Sequence, residues 1–107
     1  MIVVVGRVKT DAEKREALIQ IAQKVAAASR AESGCISYRI YQDAESAEDF
    51  VFVEEWESEE ALQTHFRTPH IAQFMGSIMS AIVGAPDVRF HTIASSRDLS
   101  EVGASRG

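Results

Sequence analysis

The sequence predicts an α+β domain on the ferredoxin-like plan, β-α-β-β-α-β. Three observations predict it. Four short segments are rich in β-branched and aromatic residues, stretches of helical period separate the first from the second and the third from the fourth, and 107 residues suffice for one core. On this plan both crossovers run right-handed, so the helices share one face of the sheet.

Residues 2–9 open with Ile2, Val3, Val4 and Val5 and continue to Val8, a strand apolar on both faces. Thr10 stands three residues before Glu13, the spacing of a capping box, and predicts a helix running to about Ser33. Leu18, Ile21, Ala22 and Val25 form its apolar stripe, and Gly34 is its expected stop. Residues 35–42 alternate, with Ile36, Tyr38 and Ile40 set against Ser37, Arg39 and Tyr41. After an acidic loop, residues 50–56 place Phe50, Phe52 and Trp56 on one face and Val51 and Val53 on the other. The loop is short, so these two strands are expected to pair antiparallel. Ser58 caps a short helix that opens with Glu59 and Glu60. Thr68-Pro69 starts another, carrying Ile71, Phe74, Met75, Ile78, Met79 and Ile82 as far as Gly84. Pro86 to Ile93 is the last strand. Residues 1–95 are read as the domain and 96–107 as a flexible C-terminal tail.

The net charge is −5 and the pI about 5.1, with no basic run, which argues against nucleic acid and anionic membrane as partners. No apolar stretch approaches the roughly 20 residues of a membrane span, and the N-terminus does not read as a signal peptide. Cys35 is the single cysteine, so no internal disulfide is expected and the default address is cytoplasmic. With the helices on one face, Val3, Val5, Val51 and Val53 would lie bare on the other, and a homodimer is the simplest cover.

Glu32-Ser33-Gly34-Cys35 with Tyr38, then Val53-Glu54-Glu55-Trp56-Glu57-Ser58, then Ala61-Leu62, His65 and Thr68-Pro69-His70 together resemble the antibiotic biosynthesis monooxygenase family, over about residues 2 to 93. That family holds cofactor-free quinol and polyketide oxygenases, haem-degrading monooxygenases and a phospho-sugar isomerase. The resemblance implies a dimeric α+β barrel with a cavity between sheet and helices in each subunit. The polyketide oxygenases' pocket tryptophan falls on Trp56, but their asparagine, tyrosine and arginine fall on Phe52, Leu62 and Met75. The asparagine, tryptophan and axial histidine of the haem-degrading members fall on Gly6, His65 and Met75, so the axial ligand is not retained. The resemblance therefore implies the quinol-monooxygenase-like group, an oxidoreductase needing no cofactor.

Such an enzyme needs a base for a phenolic hydroxyl, a dry aromatic slot and hydrogen bonds to the resulting anion. Glu54, between Phe52 and Trp56, is a carboxylate on an apolar strand face; it is either a base of raised pKa, a group that orients a histidine, or a structural ion pair to Arg7 or Arg39. His65 follows Ala61 and Leu62 on their helix and is either the general base, its tautomer fixed by Glu54, or a core histidine. Glu54 and His65 are the expected catalytic pair. Trp56, Phe52, Tyr38, Leu62, His70 and Met75 are the expected substrate contacts, each with a packing role as its alternative. His91 is expected on the sheet face near the dimer contact, and nothing predicts an activated thiolate at Cys35. The three histidines have no metal-ligand spacing, so no metal, haem or flavin is expected. The expected reaction is oxidation of a small aromatic hydroquinone or phenol by O2. The alternatives are a non-catalytic small-metabolite-binding or dimerisation domain of the same fold, or an isomerase using the same pocket.

Overall fold

A computed structural model describes residues 1–104. The chain runs β1 (Ile2–Lys9), α1 (Arg15–Arg30), β2 (Cys35–Gln42), β3 (Asp49–Trp56), α2 (Glu59–Phe66), α3 (Pro69–Ile78), β4 (Asp87–Thr92) and α4 (Leu99–Ala104). The strands form one antiparallel sheet in the order β2-β3-β1-β4. This is the expected ferredoxin-like arrangement, with the second helical region divided into α2 and α3.

Period-two alternation sets what each face carries. Ile2, Val4 and Val8 of β1 and Phe50, Phe52, Glu54 and Trp56 of β3 are buried under the helices. Val3, Val5, Val51 and Val53 are half-buried on the other face, as expected. Register aligns Tyr38, Glu54, Val4 and Phe90 in one row beneath the helices, with Ile40, Phe52, Gly6 and Val88 in the next. All of these residues except Ile40 line the cavity described below.

The structure corrects several local expectations. Thr10 does not cap α1: it is buried, and its hydroxyl donates to the Ala81 carbonyl at 2.7 Å. Asp11 takes over by accepting from the Lys14 amide at 3.0 Å, and α1 starts at Arg15. α1 ends at Arg30 rather than Ser33. Gly34 does not adopt a left-handed backbone. Its lack of a side chain serves close packing instead, because a Cβ there would collide with that of Ala61 on α2. A bulge between Cys35 and Ser37 puts Cys35 on the Tyr38 face and leaves Ile36 exposed, so Ile36 does not share the core face with Tyr38 and Ile40. α3 stops at Ile78, six residues before Gly84, because the following segment is pinned to the end of β1. The Val83 amide donates to the Lys9 carbonyl at 2.7 Å, beside the Thr10–Ala81 bond. Gly84 then turns with φ of 75°. Beyond β4, where frayed chain is expected, Leu99–Ala104 is helical; residues 105–107 of that expected tail lie outside the described residues. No helix among the described residues is long and apolar enough to cross a membrane.

Candidate active site

Between the sheet and the α2–α3 arm lies a cavity of about 370 Å³. Val4, Gly6, Val8 and Phe52 form its floor, Ile71, Phe74, Met75, Ile78 and Met79 its helical wall, and Val88 and Phe90 its edge. Gly6 matters here through volume: any larger residue in its row would fill the floor between Phe52 and Val88. Three polar side chains, Tyr38, Glu54 and His65, gather among these apolar walls.

His65 is positioned by capping chemistry at both ends of its helix. Ser58 Oγ accepts from the Ala61 amide at 3.1 Å to start α2. Thr68 Oγ1 donates to the His65 carbonyl at 2.7 Å and accepts from the Ile71 amide at 3.4 Å, joining the end of α2 to the start of α3. His65 is almost wholly buried, and its imidazole packs on Trp56 with ring centroids 4.4 Å apart. Its Nδ1 lies 2.7 Å from Glu32 Oε2. Its Nε2 faces Glu54 Oε1 at 4.0 Å, too long for a hydrogen bond. A carboxylate at Nδ1 holds the proton there and leaves a lone pair on Nε2, beside Glu54.

Among the described residues, Glu54 reaches no arginine. Arg7 and Arg39 pair with Val51 and Val53 in the register and so occupy the opposite face of the sheet. The partner of Glu54 is the Trp56 indole, whose Nε1–H donates to Oε1 at 3.0 Å. Burial pushes the Glu54 carboxyl up to about 7, the indole hydrogen bond opposing and the Glu32 charge reinforcing the shift. Burial also holds His65 below the ordinary imidazole value, against the hydrogen bond and charge of Glu32, which raise it. The Tyr38 hydroxyl is raised well above the usual phenol range, chiefly by burial and then by Glu54, so it remains a neutral donor. Burial, with Glu32 and Glu54 nearby, pushes the Cys35 thiol up to about 11, consistent with the absence of an activated thiolate.

The structure thus brings Glu54 and His65 to one cavity, with Phe52, Tyr38 and Met75. Trp56, Leu62 and His70 do not line it. Trp56 is completely buried behind His65 and serves the site as a hydrogen-bond donor rather than as a slot wall. Leu62 is core. His70 turns away and places Nε2 2.8 Å from Glu32 Oε2. His91 pairs with Val3 on the uncovered face. Sequence reasoning assigned the tautomer of His65 to Glu54, whereas the structure gives that contact to Glu32. The turn after α1 presents Glu32: its amide donates to the Ser29 carbonyl and its carbonyl accepts from the Cys35 amide, at 3.0 and 3.1 Å. Only the Glu-x-Gly turn before a strand hinted at it, and such a turn is common.

A ferredoxin-like sheet, half covered by helices that enclose an apolar cavity with an acid–imidazole pole, defines a small-molecule-binding α+β domain. The profile of the antibiotic biosynthesis monooxygenase family matches residues 1–77, and the chain belongs to that family. An uncharacterised protein of Synechocystis sp. is 34% identical over 98 residues, 92% of this chain and 67% of its own length. The "Putative monooxygenase YcnE" of Bacillus subtilis is 35% identical over 75 residues, 70% of this chain and 79% of its own. A solved structure from Deinococcus radiodurans shares the fold with a TM-score of 0.86 at 22% identity, covering 92% of this chain and 98% of that one.

Proposed function

We propose that this protein is a cofactor-independent monooxygenase that oxidises a small aromatic hydroquinone or phenol with O2. The observation that carries this reading is the Nε2 of His65, which has no hydrogen-bond partner among the described residues and is held beside Glu54 where both, with Tyr38, line a mainly apolar cavity. The walls suit a neutral ring of one or two cycles, and the acidic pole disfavours phosphorylated or carboxylated ligands.

In this mechanism a substrate hydroxyl sits in the cavity against both His65 Nε2 and the Glu54 carboxyl. His65 Nε2 takes its proton, with Glu32 stabilising the imidazolium. Glu54, whose carboxyl is neutral for part of the time near pH 7, donates to the phenolate oxygen. The phenolate passes one electron to O2. Superoxide and aryloxyl radical then combine at a ring carbon to form a C–O bond. Loss of the hydrogen on that carbon and cleavage of O–O yield the quinone carbonyl and one water. Apolar walls keep bulk water from the radical pair.

Val3, Val5, Val51 and Val53 leave the uncovered sheet face half apolar, which supports a homodimer joined through that face. The enzymatic reading is tested with an oxygen electrode and a series of naphtho- and benzohydroquinones. The expected result is saturable O2 uptake matched by formation of a quinone carrying one oxygen atom more than the substrate, unchanged by exhaustive dialysis against chelator. Uptake no faster than autoxidation across the series contradicts it and favours a binding domain.

A further inference from the structure

The reaction above leaves a physical problem: a proton accepted by His65 sits in a pocket with almost no polar wall. The cavity is lined mainly by Val, Ile, Phe and Met side chains, which do not order a water chain. Yet the imidazole does not end at the cavity. From Nδ1 the contacts continue to Glu32 Oε2 at 2.7 Å and from that same oxygen to His70 Nε2 at 2.8 Å. Side-chain exposure rises along this chain, from 2% at His65 through 14% at Glu32 to 23% at His70.

His70 also opens on a different space. It borders a small cleft of about 90 Å³ between α1 and α3, lined by Lys24, Gln73 and Ser77 among apolar neighbours. That volume admits water molecules, and its rim offers them hydrogen-bond partners. Phe74 borders both the cleft and the large cavity. The large cavity and the small cleft therefore have different mouths, bridged by His65, Glu32 and His70.

We infer that Glu32 and His70 form a proton path between the cavity's base and solvent, with His70 exchanging protons with water in the α1–α3 cleft. This rests on His65 being the base of the proposed reaction only for its catalytic use; the path itself is a property of the free protein. Transfer balances at each station. A proton entering His65 at Nε2 releases the one on Nδ1 to Glu32; with Glu32 then neutral, His70 in its Nδ1–H tautomer accepts that proton at its vacant Nε2 and releases the Nδ1 proton to water. The groups facing this chain are Glu54, Tyr38 and the Trp56 indole around His65, the Cys35 thiol near Glu32, and Lys24 across the cleft from His70. Glu32 and His70 touch no substrate and are positioning and relay residues.

The test is the exchange rate of the His65 ring N–H with water, followed by NMR on the whole protein. His70→Gln keeps an amide donor for Glu32 but cannot relay. The expected result is exchange slower by about tenfold or more, with core amide protection unchanged. In the unsubstituted protein the rate should follow the titration of His70, read from its own carbon-bound ring proton, so the test stands even if the variant folds poorly. Exchange that is unaffected by His70→Gln, or that is flat across the His70 titration, overturns the path. So does a stoichiometric metal ion held by Glu32, His65 and His70 in native mass spectra. A relay that behaves as expected in a protein that takes up no O2 refutes the oxygenase reading and leaves the path standing.

Discussion

The Nδ1 atom of His65 lies 2.7 Å from Oε2 of Glu32, while its Nε2 faces Glu54 at 4.0 Å. One imidazole thus separates two carboxyl groups with different jobs. Glu32 fixes the tautomer; Glu54 shares the cavity with the free lone pair. Replacing Glu32 by Gln keeps the size and removes the charge. The imidazole should then titrate lower than in the parent, because the charge of Glu32 raises it. Turnover of a hydroquinone should fall by roughly 10- to 100-fold with substrate affinity little changed, since the tautomer is no longer enforced. NMR titration and steady-state kinetics check the two parts.

Glu54 sets a pH dependence of stability whose sign follows from burial. Its folded pKa of about 7 lies above the ordinary 4.5, so the folded state holds this proton more tightly than the unfolded chain. The associated stability is fully present below pH 4.5 and is lost as pH rises through 7. Glu54→Gln, which keeps an acceptor for the Trp56 indole, should match the parent near pH 4.5 and exceed it at pH 8, by up to roughly 3 kcal/mol. His65 works in the opposite direction: its lowered pKa makes stability fall on acidification below 6.5. Denaturant unfolding at several pH values separates the two.

Gly34 tests the seating of α2. Its backbone is ordinary, so Gly34→Ala acts through the collision with Ala61 alone. The expected loss is about 1–3 kcal/mol. Ala61→Gly in the same chain should recover much of it, which a conformational effect at position 34 would not allow. Thermal unfolding of the single and double variants reads the difference.

Val53→Lys puts a charge in the middle of the uncovered face, where Val53 pairs with Val5 of β1. Sedimentation should show the dimer of the parent replaced by monomer, with the fold retained because the side chain points away from the core. A parent protein that is itself monomeric at micromolar concentration would remove the dimer from the account.

Strand parity made much of the fold legible in the sequence. Phe50, Phe52 and Trp56 share a face because their spacing is two, and Glu54 must share it with them. Parity alone therefore puts a carboxyl in the core. Helix boundaries were less legible, because tertiary bonds decided them. Thr10 looks like a cap by spacing, yet its hydroxyl finds Ala81, 71 residues away. Ile36 alternates correctly, yet a bulge turns it outward. In the site, Glu54 and His65 could be named because each violates the apolar pattern around it. Glu32 could not, because it stands in a polar turn where a glutamate is unremarkable and only the long-range contact gives it meaning. Trp56 stays open between slot wall and packing residue for a related reason: its burial follows from the sequence, but whether it faces the cavity or backs the imidazole depends on how α2 lies across the strand.

In the proposed reaction His65 Nε2 is the base that activates the substrate. The measurement that tests it most directly is single-turnover oxidation of a saturating hydroquinone by His65→Gln beside the parent, with binding measured separately by quenching of the lone tryptophan, Trp56. Binding should stay within a few-fold of the parent while the oxidation rate falls by about 10²–10⁴, the weight of a general base. Oxidation at the parental rate in a folded His65→Gln protein would contradict it.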